Sequence, residues 1–324
     1  MMSAFTQQLF HVAERDADHA STGAIQGDAP NCIQRGAAMP PSKCGAKPAP
    51  ARLAGSHCID NAAMPHIFCI ANQKGGVGKT TTTVNLAAGL AQIGQRVLIV
   101  DLDPQGNATM GSGVDKRTME RSVYDVLLEE ATIAEARSRS PKGGYDVLGA
   151  NRELAGAEIE LVTLERRDRR LKTAIEAAAQ EYDFVLIDCP PSLSLLTLNG
   201  LTCAHGVIVP MQCEYFALEG LTDLVNTVKQ VHANLNRELQ LIGLLRVMYD
   251  PRITLQQQVS EQLKAHFGDK VFDTVIPRNV RLAEAPSYGV PGVVFDPSSK
   301  GAQAFVAFAQ ELVQRVSQGL TQAG

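Results

Sequence analysis

Short apolar runs alternate with longer amphipathic stretches along the chain from His66 onward. A short apolar run between turn residues is typical of a buried strand, and apolar positions about three or four apart are typical of a helix that packs on one face. Strands that alternate with helices over short connections indicate a parallel sheet covered on both faces. We therefore expect residues 66–324 to form a single α/β domain with a mostly parallel, doubly wound sheet. The predicted strands are residues 67–71, 96–100, 145–148, 184–187, 206–209, 241–247 and a short one near 275–276.

Helices are expected between these strands. One apolar helix face is predicted from Leu255, Val259, Leu263 and Phe267, which recur every four residues before Gly268. The last helix is expected to be capped by Ser298 or Ser299, since serine favours that position. The other predicted helical stretches are residues 84–93, a Glu- and Arg-rich region 154–180, and residues 195–204, 218–235 and 300–316.

Residues 1–65 break this pattern. Ala, Pro, Gly and Ser dominate residues 36–55. The segment lacks the positively charged region and the apolar region that together mark a signal peptide. Two interpretations stay open. The segment is a disordered leader, or natural translation begins at Met64 and the leader is an artefact of the chosen start.

Composition narrows the function classes only slightly. The net charge of −4 does not exclude DNA binding, because a local basic patch can act within an acidic protein. No apolar run approaches the roughly 18 residues that a membrane span requires. The seven cysteines form no C-x-x-C pair, which disfavours zinc and thioredoxin chemistry, and Cys69 and Cys189 fall in predicted buried strands or at their ends.

The most informative stretch is residues 73–81, Gln-Lys-Gly-Gly-Val-Gly-Lys-Thr-Thr, between the first predicted strand and a helix. A glycine loop in that context is typical of a phosphate-binding loop, whose N–H groups point at phosphate oxygens. Lys79 is expected to reach the β- and γ-phosphates, and the Thr80 hydroxyl to bind Mg²⁺. The nucleotide-binding residues predicted from the loop are Gly75, Gly76, Val77, Gly78, Lys79, Thr80 and Thr81.

A second lysine distinguishes this loop. The usual loop begins with Gly where Gln73 stands, and Lys74 follows as a spare cation. The segment resembles the deviant P-loop of the ParA/MinD family, K-G-G-x-G-K-T. In that family the signature lysine reaches across a dimer interface to the partner's ATP. The resemblance implies an ATP-dependent sandwich homodimer, with Lys74 and Lys79 both among the nucleotide-binding and catalytic residues.

Acidic residues follow two predicted strands, where ligands bind in open parallel sheets. Asp188 ends a strand as a Walker B aspartate does and is expected to hold Mg²⁺, the plain alternative being a carboxylate that caps the next helix. The run from Asp101 to Asn107, D-L-D-P-Q-G-N, is similar to the family's switch I segment. There the second aspartate, matching Asp103, orients or activates the attacking water, and Asp101 is expected to support Mg²⁺ or the loop.

Further stretches carry the same resemblance. Residues 188–192, D-C-P-P-S, resemble switch II, whose prolines stiffen the loop. Pro277-Arg278-Asn279 matches the adenine-pocket segment, so Asn279 is expected to hydrogen-bond the base and Pro277 to pack on it. Residues 210–212 either line the same pocket or form an ordinary strand-to-helix loop, and both readings stay open.

The resemblance covers residues 66–298 and is closest to the chromosomal ParA, or Soj-type, branch. It implies a Mg²⁺-dependent ATPase in the cytoplasm, associated with the nucleoid, that partitions chromosomes or plasmids. In this branch the ATP-bound dimer coats double-stranded DNA without sequence preference, and a ParB-like centromere-binding partner stimulates hydrolysis and release. Arg252 and Arg281 match the family's DNA-binding arginines, and Arg246 and Arg278 are expected to assist.

Three alternatives rank lower. A MinD-like membrane-cycling regulator of division needs a basic amphipathic C-terminal helix, but the tail after Arg315 has no Lys or Arg. An iron–sulfur ATPase needs cysteines that bridge a cluster across the dimer, whereas Cys189 is predicted to be buried. A plasmid ParA that represses transcription needs an N-terminal helix-turn-helix, for which residues 1–65 lack the apolar periodicity.

Overall fold

The predicted apolar runs lie side by side in one sheet. The computed structural model of the chain describes residues 64–215 and 217–319, so the prediction for the leader lies outside the described residues. The strands of this sheet are β1 His66–Ile70, β2 Val97–Asp101, β3 Arg137–Arg139, β4 Asp146–Leu148, β5 Phe184–Asp188, β6 Gly206–Met211, β7 Gln240–Tyr249 and β8 Val271–Pro277.

The strand order is β3–β4–β2–β5–β1–β6–β7–β8. Every neighbouring pair runs parallel except β3 and β4, which are antiparallel. β1 lies in the interior of the sheet between β5 and β6. Strands β2, β5 and β6 are buried at every residue, as expected for strands with helices on both faces. The predicted mostly parallel α/β fold is confirmed.

Helices connect the strands and cover both faces of the sheet. The α-helices are α1 Lys79–Gln92, α2 Asn107–Gly111, α3 Val123–Leu127, α4 Ile133–Ala136, α5 Leu154–Leu161, α6 Arg170–Ala178, α7 Leu195–Cys203, α8 Ala217–Asn234, α9 Thr254–Phe267, α10 Val280–Glu284, α11 Gly292–Phe295 and α12 Lys300–Ser317. Short 3₁₀ turns are Ala179–Glu181, Gly268–Lys270 and Ala285–Tyr288. Among the helices of the described ranges, none is long and apolar enough to cross a membrane.

Two apolar cores fill the two faces. One lies beneath α6, α7 and α8 and includes the fully buried Cys69 and Cys189, in agreement with their predicted burial. The other lies beneath α1 and α12. These two helices approach closely at Gly89, where a Cβ would lie 3.1 Å from the Cβ of Ala309 and 3.2 Å from the carbonyl oxygen of Phe305. The helix that begins at the phosphate loop is therefore held directly by α12.

The structure adds short helices that were not predicted, α2, α3, α4, α10 and α11, and extends the strand expected near 275–276 to Val271–Pro277. Two further differences have a clear physical reason. The helical region 154–180 is two helices, α5 and α6, because the intervening loop is fastened to α7 by the Asn199 side chain. Its amide Nδ2 donates to the Arg167 carbonyl oxygen at 2.7 Å, and its Oδ1 accepts from the Leu171 N–H at 3.3 Å. The edge strand β3 was not predicted, since Arg-Ser-Arg carries no apolar signal. Of the proposed caps for α12, Ser299 accepts a hydrogen bond from the Ala302 N–H.

Candidate nucleotide site

The phosphate loop connects the end of β1 to the start of α1, as predicted. Gly76 and Gly78 have φ of 72° and 81°, in the left-handed region that favours glycine, and Gly78 is the N-cap of α1. A Cβ placed on Gly75 or Gly76 would meet nothing within 4 Å. The loop thus leaves open space beside its backbone at the N-terminus of a 14-residue helix, a geometry that fits a phosphate chain.

The two lysines of the loop have different environments. Lys79 is only 8% exposed, and its Nζ donates to the Lys74 carbonyl oxygen at 3.2 Å. Burial lowers the pKa of Lys79, while the nearby Asp188 acts in the opposite direction. The Lys74 side chain is 42% exposed, and its Nζ lies 2.7 Å from Oε2 of Glu214, which is 45% exposed. One lysine therefore lies in the loop's own interior and the other faces outward.

Asp188, at the end of β5, is almost fully buried beneath the start of α1. Its Oδ2 accepts from Thr80 Oγ1 at 2.7 Å, and its Oδ1 accepts from Thr83 Oγ1 at 2.9 Å. Burial raises the pKa of Asp188 to about 6, against the effect of these two hydrogen bonds. A carboxylate beside a threonine hydroxyl offers the hard oxygen ligands that Mg²⁺ prefers. Thr83 was not named from the sequence, although its position one helical turn after Thr80 could have indicated it.

Asp101 ends β2, the strand next to β5, and is fully buried. Its carboxylate accepts from the Asp103 N–H at 3.1 Å, the Thr109 N–H at 2.9 Å and Thr109 Oγ1 at 2.8 Å. Burial, together with the charge of Asp188, raises the pKa of Asp101 to about 7. Asp101 was expected to support either Mg²⁺ or the loop, and these contacts favour support of the loop. Asp103 is half-buried, and its Oδ1 accepts from the Gln105 N–H at 2.9 Å.

The end of β6 and the residues that follow it contact the phosphate loop and the residue before the loop. Asn72 Nδ2 donates to the Pro210 carbonyl oxygen at 2.9 Å, and Gln212 Nε2 donates to the Gly76 carbonyl oxygen at 3.2 Å. With the Lys74–Glu214 ion pair, these contacts place residues 210–214 against the entrance of the loop. Residues 212–215 belong to a stretch that resembles the family, but no role was predicted for Glu214 from the sequence.

The predicted adenine segment begins at the end of β8, and two strands, β6 and β7, lie between β8 and the phosphate loop's own strand β1. Pro277 ends β8, which pairs with β7 at Tyr249, and β7 reaches the loop where a Cβ on Gly78 would lie 3.6 Å from Cε of Met248. Asn279 is the N-cap of α10, and its Oδ1 accepts from the Leu282 N–H at 3.3 Å. Pro277 and Asn279 thus lie on the same side of the sheet's end as the loop, and their contact with a base stays a prediction.

The four arginines considered for DNA binding fall into two groups. Arg246 is only 4% exposed, and its guanidinium donates to Ser260 Oγ and to the carbonyl oxygens of Phe272 and Asp273 at 2.7–3.0 Å. The expectation that Arg246 assists DNA binding is therefore wrong, because this side chain joins β7, α9 and β8 inside the domain. Arg252, Arg278 and Arg281 are exposed.

Carboxylates accompany the two principal arginines. The Arg252 side chain is 88% exposed and forms an ion pair of 2.7 Å with Asp250. The Arg281 side chain is 57% exposed, with Glu284 at 3.0 Å and Asp296 at 3.7 Å. Both guanidinium groups can be approached from solvent.

Comparison with known proteins agrees with this arrangement. A family model described as an AAA domain matches residues 65–241, more than half of the chain. The sporulation initiation inhibitor protein Soj of Bacillus subtilis is 53% identical over 249 residues, which cover 77% of this chain and 98% of Soj. The chain belongs to the ParA/Soj family of partitioning ATPases. The chromosome partitioning protein ParA of Caulobacter vibrioides is 49% identical over 251 residues, 77% of this chain and 94% of ParA.

A solved structure of similar fold carries a nucleotide. Cobyrinic acid a,c-diamide synthase from Mycobacterium smegmatis, with bound ADP and magnesium, superposes with a TM-score of 0.70 at 39% identity, covering 79% of this chain and 97% of that one. This ParA/Soj family member is an ATPase that uses ATP and Mg²⁺. The family, the fold and the cofactors predicted from the sequence are confirmed.

Proposed function

We propose that the chain is an ATP-driven switch for DNA partitioning that serves a chromosome or a plasmid. Its ATP-bound homodimer binds double-stranded DNA without sequence preference, in the cytoplasm on the nucleoid. A ParB-like centromere-binding partner stimulates hydrolysis, which separates the dimer and releases the DNA. The observation that supports this most directly is the pair of lysines in the loop. Lys79 is buried in its own site, whereas Lys74 is accessible to a second molecule.

The residues of one subunit bind the nucleotide. The backbone N–H groups of residues 75–81 hold the phosphates, with Lys79 neutralising their charge. Thr80 and Asp188 hold Mg²⁺, which supplies charge stabilisation to the transferring phosphoryl group. Pro277 and Asn279 bind the adenine. Because Asp188 already accepts from Thr80 and Thr83, its carboxylate is oriented before any ligand arrives.

Hydrolysis depends on two further groups. Asp103 orients the attacking water and accepts its proton, the role that a carboxylate fills in phosphoryl transfer to water. Lys74 leaves Glu214 and reaches the nucleotide of the partner subunit, so the site is complete only in the dimer. Loss of the γ-phosphate removes the group that holds the two subunits together.

Arg252 and Arg281 supply the DNA contacts. Non-specific affinity arises from neutralised phosphates, and each contact contributes a log–log salt slope of about −0.9. Since a dimer presents each arginine twice, an arginine that contacts DNA on both subunits accounts for a slope of roughly −2. Two weak patches aligned on one duplex also explain why ATP is needed for tight binding.

The test is DNA binding measured across a salt series with ATP, ADP or no nucleotide. Wild type is expected to bind only with ATP. Lys79→Ala should lose nucleotide binding, Lys74→Ala should bind ATP but stay monomeric, and Asp103→Ala should bind ATP and stay on DNA with slowed hydrolysis. Arg252→Glu and Arg281→Glu should weaken binding and flatten the salt slope while dimerisation is kept.

Arg117→Glu is a matched control for Arg252→Glu. Arg117 is also highly exposed and makes the same ion pair with an aspartate two residues earlier, Asp115. Equal DNA binding with and without ATP would refute the switch. If Arg117→Glu weakens DNA binding as much as Arg252→Glu does, the effect of Arg252→Glu reflects the change in net charge and not a DNA contact at Arg252.

A further inference from the structure

We propose that Thr109 is a positioning residue for hydrolysis, which acts through Asp101 to fix the orientation of Asp103. The inference rests on the proposed role of Asp103 as the group that orients the attacking water. Thr109 is the third residue of the five-residue helix α2, and its hydroxyl hydrogen-bonds to Asp101 and Ala150 and not to the phosphate loop or Asp188. Its effect is therefore expected in the rate of hydrolysis and not in nucleotide affinity.

One buried carboxylate holds both ends of the loop that carries Asp103. Asp101 accepts one hydrogen bond from the Asp103 N–H and two from Thr109, through the Thr109 N–H and its hydroxyl. The carboxylate is fully buried. A buried carboxyl oxygen that lost its donor would be left unsatisfied, so the loop is strongly favoured in the conformation that supplies all three hydrogen bonds.

The Thr109 hydroxyl also fastens the loop to the strand alongside. While it donates to Asp101, Oγ1 accepts from the Ala150 N–H at 2.9 Å, just beyond the end of β4. The loop meets the same residue again at Gly106, which has φ of 61° and where a Cβ would lie 2.5 Å from the Ala150 carbonyl oxygen. Among side chains of this size, only a hydroxyl donates and accepts at once. The contacts thus require Thr or Ser at position 109.

Asp103 has little freedom left within this loop. Its N–H is held by Asp101, its carbonyl oxygen accepts from the Gly106 N–H at 2.8 Å, and its Oδ1 accepts from the Gln105 N–H. The direction of the carboxylate is therefore set by the backbone, and the backbone by Asp101 and Thr109. A displacement of about 1 Å at a reacting group can cost about 100-fold in rate.

The experiment compares Thr109→Val, which keeps the shape but removes the hydroxyl, with Thr109→Ser, which keeps the hydroxyl. Thr109→Val should lower kcat for ATP hydrolysis by about 10- to 100-fold. The KM for ATP and the ATP-dependent binding to DNA should stay within about twofold of wild type, and Thr109→Ser should restore most of the rate. Thr202→Val is the control, because Thr202 is a buried threonine whose hydroxyl has no hydrogen-bond partner within the described residues.

If thermal melting shows that Thr109→Val does not fold, Thr109→Ala decides. It removes the same hydroxyl without placing a methyl group against the buried Asp101 carboxylate, and the same loss of kcat at unchanged KM is expected. Wild-type kcat in the folded variant, or a rise in KM as large as the fall in kcat, would overturn the inference. Asp103→Ala is measured alongside. Normal hydrolysis in Asp103→Ala would refute the proposed role of Asp103, whereas a defect there with normal Thr109→Val would refute only the role of Thr109.

Discussion

Replacing Glu214 with Gln should strengthen the ATP-dependent dimer. In the subunit described here, the Lys74 ammonium is already paired with Glu214 at 2.7 Å. If Lys74 binds the nucleotide of the partner subunit, it must first leave that carboxylate, and a symmetric dimer breaks two such pairs. Gln keeps the size of Glu214 but removes the charge, so the subunit on its own is no longer favoured by the ion pair.

The exposure of the two side chains sets the size of the effect. Lys74 and Glu214 are 42% and 45% exposed, and pairs of this kind contribute only about 0.2–1 kcal/mol. Two pairs per dimer give about 0.4–2 kcal/mol, which corresponds to a dimer dissociation constant lower by about 2- to 30-fold. The effect should shrink at high salt, because the pair is open to solvent.

Sedimentation velocity with a non-hydrolysable ATP analogue measures this constant directly. Glu261→Gln is the control, since Glu261 is an exposed glutamate on α9. Adding Glu214→Gln to Lys74→Ala should not restore the dimer, because the gain from Glu214→Gln acts through Lys74. A Glu214→Gln dimer as weak as wild type, or weaker, would refute the competition between Glu214 and the partner's nucleotide.

Three further predictions follow from the described contacts. Asp250→Asn should tighten ATP-dependent DNA binding, measured by fluorescence anisotropy, because it releases Arg252 from its ion pair, and unchanged affinity would argue against a DNA contact at Arg252. Arg246→Met should lower the free energy of unfolding in urea by about 1–3 kcal/mol, since buried acceptors lose their donor, while the folded variant should bind DNA normally. Asp101 has a folded pKa of about 7, above its value of 3.8 in the unfolded chain, so the folded state binds the extra proton. Its contribution to stability is full below pH 4 and is lost as pH rises to 7. Asp101→Asn should therefore gain stability relative to wild type as pH rises from about 4 to 7, and parallel stability curves would contradict this.

The fold could be predicted because its strands are marked locally. β1, β2 and β5 are five-residue apolar runs whose ends fall within a residue or so of the predicted ones. A strand buried on both faces has no polar alternation, so its composition alone identifies it. Where that composition fails, as in the charged strand β3 at the antiparallel edge, the prediction fails with it.

The sequence predicted those site residues that belong to contiguous motifs and missed contacts between residues far apart in the chain. Lys79, Thr80 and Asp188 belong to contiguous motifs, and the structure brings them together. Glu214 meets Lys74 from 140 residues away, a contact that no local spacing encodes. Arg246 was misjudged because an arginine is usually solvated, although its apolar neighbours Leu244, Leu245 and Val247 already indicated that this part of the strand is buried.

The strand that carries the phosphate loop, β1, can pair with its sheet neighbours only after much of the chain has been synthesised. β1 is synthesised first among the described strands, yet its two neighbours, β5 and β6, follow much later, and the contact between Asn72 and Pro210 joins residues 138 apart. Such pairings have high contact order, and the entropy of closing so long a loop opposes them until both partners are present. When residues 73–81 of a nascent chain have been synthesised, the strands that flank β1 are still missing, so no sheet exists to support the loop. We therefore expect the loop to take its ATP-binding conformation only after β6 has been synthesised.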